Sequence, residues 1–151
     1  MLAEGTAAPD FQIGDWSLSG ALKKGAVLLA FFKISCPTCQ FTFPFLQRLA
    51  DAAQPGAPQL VAISQDDAVG TEQFRRRFGP TAPPLLDAGP RYPASTAYGL
   101  TNVPALYLVE ADGRISMAIN GFSKQHLEAL GERFGTAPFR EGERIPAAKP
   151  G

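Results

Sequence analysis

The sequence predicts an α/β fold built on a central mixed β-sheet, and three observations carry that expectation. Continuous apolar runs at Ala26 to Phe32, Leu60 to Ser64 and Ala105 to Val109 have the length and character of strands buried on both faces. Segments with helical spacing follow the first and second of these runs, and Asp112-Gly113 turns the chain into Ile115 to Ile119 as a hairpin. Strand, helix, strand makes a right-handed parallel crossover, whereas the hairpin adds an antiparallel neighbour, so one sheet carries both pairings.

In chain order, Gly5 to Asp10 is an irregular lead-in, and Phe11 to Trp16 with Leu18 suits a short peripheral hairpin. Ala26 to Phe32 is the central strand. From Pro37 onward, Gln40, Gln47, Asp51 and Gln54 recur at helical spacing while Phe41, Phe43, Phe45, Leu46, Leu49 and Ala50 fill the other sides, which predicts a helix with a narrow wet stripe. Pro44 falls on that stripe, where water can satisfy the Gln40 carbonyl that the proline leaves without a partner. Pro55-Gly56 ends the segment.

After the strand at Leu60 to Ser64 comes a helix from about Val69 to Phe78, then a Pro-rich turn through Pro84. A less regular stretch with Pro90 and Pro93 contains a short helix around Ser95 to Tyr98. Val103-Pro104 opens the strand Ala105 to Val109, and the hairpin follows. Ser123 is placed to cap a final helix in which Leu127, Leu130 and Phe134 share a face, with Gly135 past its end. Residues 1–136 therefore form one domain, and the Pro-rich polar segment 137–151 is expected to be a flexible tail.

At 151 residues and 45% hydrophobic, the chain has enough apolar material for one sizeable core. Its formal net charge is zero, so no global field favours nucleic acid or an anionic membrane. Arg75 to Arg77 lie between Phe74 and Phe78 and suit a solvated helix face rather than a binding patch. No basic start followed by a long apolar stretch is present in residues 1–14, and Ala26 to Phe32 is too short to span a bilayer, so as written the expectation is a cytoplasmic protein without stable membrane insertion. An exported form remains compatible if a signal preceded this sequence. Oligomeric state is left open.

Cys36-Pro37-Thr38-Cys39 holds the only two cysteines, at the junction between the first apolar run and the helical segment. A cysteine in the first turn of a helix meets unpaired backbone N–H groups and the positive end of the helix dipole, which stabilise a thiolate. Three residues on, the second cysteine comes round to the same side and can close a disulfide with it. A zinc site would need four ligands, and besides scattered carboxylates the chain offers only His126, which suits a surface or half-buried helix residue. Redox chemistry thus leads, with a pair of inert buried cysteines as the bland alternative.

Taken together, Gly5, Ala8-Pro9-Asp10-Phe11, Phe31 to Cys39, Tyr98-Gly99, Val103-Pro104, Asp112-Gly113 and Gly121 resemble the thioredoxin-fold redoxin family of the TlpA and AhpC/TSA type. That group includes reductases of cytochrome c maturation and the peroxiredoxins, and the resemblance spans roughly residues 5 to 135. It implies a thioredoxin-like fold with helices on both faces of the sheet and an N-terminal extension. It also implies that Cys36 is the attacking thiolate, Cys39 the buried resolving thiol, and Pro104 a cis-proline beside them that leaves the Val103 backbone free to pair with an extended substrate. Pro37 and Thr38 stiffen the turn and tune the pair.

The activity implied is thiol–disulfide exchange with protein disulfides or dithiols, an upstream reductase, and no cofactor beyond the redox-active disulfide. Ser35 stands where thioredoxins carry tryptophan, and Ala30 replaces the buried acid that assists their resolving thiol. Lys33 either favours the thiolate or is an ordinary surface lysine. A peroxidase with Cys36 peroxidatic and Cys39 resolving is the enzymatic alternative, although Lys33 and Leu29 stand at positions that peroxiredoxins fill with threonine or serine and with proline. A non-catalytic redox switch acting through Phe41, Phe45 or the loop around Tyr92 is the third.

Overall fold

In a computed structural model that describes residues 1–151, the chain forms β1 (Gln12–Ile13), β2 (Trp16–Ser17), α1 (Leu18–Leu22), β3 (Val27–Phe32), α2 (Pro37–Asp51), β4 (Gln59–Ser64) and α3 (Ala68–Phe78). There follow β5 (Leu85–Leu86), α4 (Pro93–Ala97), β6 (Ala105–Val109), β7 (Ile115–Asn120), β8 (Phe122–Ser123), α5 (Lys124–Phe134) and β9 (Ala148–Lys149). The central sheet has the order β5-β4-β3-β6-β7. Its β3–β4 and β4–β5 pairs are parallel, and its β3–β6 and β6–β7 pairs antiparallel, as the crossover and hairpin signals require.

Every residue of β3 and β6 is buried, because helices flank the sheet and leave no wet face for a polar residue at alternate positions. Phe32 on β3, Phe43 on α2 and Phe74 on α3 clasp the layers together, with Phe32 4.6 Å from each of the other two rings. Pro44 is exposed, as its place on the wet stripe predicts. Phe74 is buried and packs on Phe78, while Arg75 and Arg76 turn outward and pair with Glu72.

Two short elements and one helix end escape the sequence patterns. Leu18 begins α1 rather than extending the hairpin, held by Ser17, whose hydroxyl accepts the Gly20 N–H at 3.1 Å. Leu85–Leu86 joins the sheet as β5 by pairing with Ile63 and Ser64, and α2 ends at Asp51, before Pro55-Gly56. Two- to five-residue elements carry too little periodicity to be read locally.

The segment 137–151, expected to be a free tail, lies docked on the domain. Pro138 is buried, Phe139 stacks 5.1 Å from Phe45, and Glu143 forms a two-pronged pair with Arg48 at 2.7 Å on each side. β9 then pairs antiparallel with β8. A few apolar side chains, one ion pair and a two-residue strand pairing outweigh the polar, Pro-rich composition that suggested mobility.

Candidate active site

Cys36 is the N-cap of α2, with Pro37 opening the first turn where its missing N–H costs nothing. The half-buried Cys36 sulfur accepts the Cys39 N–H at 3.1 Å, so one of the orphan donors of the helix start points at it. The same thiol donates to the Val103 carbonyl at 3.5 Å, which brings the Val103-Pro104 loop against the cysteine pair. The peptide bond between Val103 and Pro104 is cis, as the resemblance implied; Gly79-Pro80 and Gly89-Pro90 are cis as well.

Cys39 is wholly buried and both thiols are unbridged. Burial pushes the Cys39 thiol well above the ordinary thiol range, and its interaction with Cys36 and the charge of Asp66 push the same way. The Thr38 hydroxyl donates to the Pro150 carbonyl at 2.6 Å, and Pro37 is exposed beside it. Lys33 lies exposed at the end of β3, where its carbonyl accepts the Cys36 N–H at 3.3 Å; its ammonium enters no ion pair. Leu29 is buried within β3, so neither position that peroxiredoxins use to activate peroxide offers a hydroxyl or a loop proline.

Asp66 is the site residue that sequence reasoning missed. Its carboxylate accepts the Ile34 N–H at 2.8 Å, and Gln40 donates to the Ile34 carbonyl at 2.9 Å, which fixes the loop leading to Cys36. A signal for it existed: β3 and β4 run parallel with Phe32 beside Ser64, so residues two beyond each strand end are neighbours. A cavity of about 440 Å³ bordered by Gln47, Ala50 and Phe134 lies towards the far end of α2 and contains no thiol.

The sheet order, the dithiol at the start of α2 and the cis-proline loop beside it define a thioredoxin-fold redoxin. The sequence profile of the AhpC/TSA family matches residues 3–118, and the chain belongs to that family. It is 26% identical over 132 residues to the thiol-disulfide oxidoreductase ResA of Bacillus anthracis, an alignment covering 82% of this chain and 74% of that protein. Among solved structures it resembles one assigned as the thiol:disulfide interchange protein DsbE of Chlorobium tepidum, with a TM-score of 0.70, 26% identity, and 88% and 96% of the two chains covered. The thioredoxin domain of a Bacteroides vulgatus thiol-disulfide oxidoreductase shares the fold at a TM-score of 0.75 and 20% identity, with 89% of this chain and 99% of that one covered. No helix is long and apolar enough to cross a membrane.

Proposed function

We propose that this chain is a thiol–disulfide oxidoreductase that cycles Cys36 and Cys39 between dithiol and disulfide while reducing or exchanging the disulfides of protein partners. The observation that carries this reading is the asymmetry of the pair: a half-buried Cys36 that accepts a helix N–H stands above a Cys39 with no exposed surface. Only one of the two sulfurs is placed to meet a large partner.

In the first step the Cys36 thiolate attacks one sulfur of the partner disulfide. The partner S–S bond breaks, a Cys36–partner disulfide forms, and the second partner sulfur leaves as a thiolate that takes up a proton. Cys39 then loses its proton and attacks Cys36 Sγ, which closes the Cys36–Cys39 bond and expels the other partner sulfur as a thiolate. Two electrons pass from the dithiol to the partner, and an upstream dithiol reductant restores the start. The cycle balances on sulfur and protons alone, with the redox-active disulfide as its redox group.

Val103 supports the docking step, since its N–H makes no hydrogen bond within the chain and leaves a donor for an extended partner backbone. Pro104 holds that loop against Cys36, and Pro37 and Thr38 shape the rim. The test is turnover of insulin disulfides with excess dithiothreitol. Many insulin molecules reduced per protein molecule are expected; a single stoichiometric reaction followed by arrest would identify a switch instead.

A further inference from the structure

We propose that residues 146–151 form an intramolecular strap over the partner groove beside Cys36, and that the extended segment of a partner must lift it to reach the thiol. This deepens the exchange reading and rests on it for the identity of the partner. The groove has three walls: the start of α2 at Thr38, the loop at Asn102 and Val103, and the turn at Gly121. The strap touches all three. Thr38 donates to the Pro150 carbonyl at 2.6 Å. A Cβ built on Gly121 would lie 2.5 Å from the Lys149 carbonyl, and one built on Gly151 would lie 2.4 Å from the Val103 carbonyl and 2.8 Å from Asn102 Nδ2. The Cys36 thiol donates to that same Val103 carbonyl, so the strap and the thiol share one backbone atom.

The attachment is firm at its root and loose at its tip. The root is the Phe139 contact with Phe45 and the Arg48–Glu143 pair, in which the guanidinium and the Arg140 N–H hold the Glu143 carboxyl down at about 2. Towards the tip, residues 147–151 are exposed, the β8–β9 pairing is two residues long, and Lys149 lies 5.1 Å over the Phe41 ring. A short exposed strand pair of this kind opens at small cost. Both the strap and a partner segment would use extended backbone at the same place, so occupancy by one lowers the apparent affinity of the other by the fraction of time the groove is open.

The test uses two single-residue variants outside the reacting machinery. Gly151→Leu puts a side chain where even a Cβ has no room, and Glu143→Ala cuts the root. Each is expected to speed insulin reduction by about threefold to tenfold, the gain for a groove open roughly a third to a tenth of the time. Added peptide of the sequence of residues 145–151 should slow the variants again. Unchanged or slower reduction by both variants overturns the strap. Should the parent protein and both variants all fail to reduce insulin, the exchange reading falls. The strap is then judged by Cys36 alkylation with a bulky maleimide: faster reaction in the variants supports it, and equal rates overturn it.

Discussion

Cys36 and Cys39 share one turn of α2, yet the surroundings separate them: a backbone N–H serves one sulfur, while burial, the neighbouring Cys36 and, to a smaller extent, the charge of Asp66 keep the proton on the other. With the Cys39 thiol raised, the closing step should accelerate as pH climbs through the alkaline range, because only the ionised sulfur attacks. Asp66→Asn retains an oxygen for the Ile34 N–H but removes the charge, so Cys39 should ionise at lower pH. Release of a mixed disulfide at pH 8, followed by stopped flow, should then quicken, by less than the tenfold that a full pK unit would give. Slower release would instead make Asp66 the acceptor of the Cys39 proton. At this scale the cysteine pair and the Ser123 cap, whose hydroxyl accepts the His126 N–H, were legible because each is a local pattern. Asp66 was not, since its role depends on which strand ends lie side by side.

The elements divide by length. β3, β6 and the long helices announce themselves as apolar runs or periodic stripes, whereas β5, β8 and β9 are two-residue pairings that exist only through their partners. Caps set the helix starts within the longer elements. Asp67 accepts the Gly70 N–H at 2.8 Å and starts α3 one residue earlier than the apolar spacing suggests. Asp67→Ala should therefore cost about 1 kcal/mol, read as a fall of about 2–4 °C in the midpoint of thermal unfolding. An unchanged midpoint would mean that the packing of Phe74 on Phe32 and Phe43 alone sets where α3 begins. The docked segment 137–151 shows the same limit of local reading: Phe139 and Ile145 are isolated apolar residues in a polar stretch that pack against the core, and the surface that receives Phe139 is assembled from α2 and β8.

Over the whole molecule, the parallel strands β3 and β4 deliver Cys36 and Asp66 to one end of the sheet. The antiparallel β6 begins at that same end and brings the Val103-Pro104 loop to meet them. Zero net charge gives no long-range steering, so partner choice rests on the groove and what lies in it. The central claim is that Cys36 meets the partner and Cys39 resolves the intermediate. It is tested most directly by mass spectrometry of Cys39→Ser and Cys36→Ser proteins after mixing with a protein disulfide. Cys39→Ser should accumulate a one-to-one adduct through Cys36, and Cys36→Ser should form none. An adduct on Cys36→Ser, or free turnover by Cys39→Ser, would contradict the account.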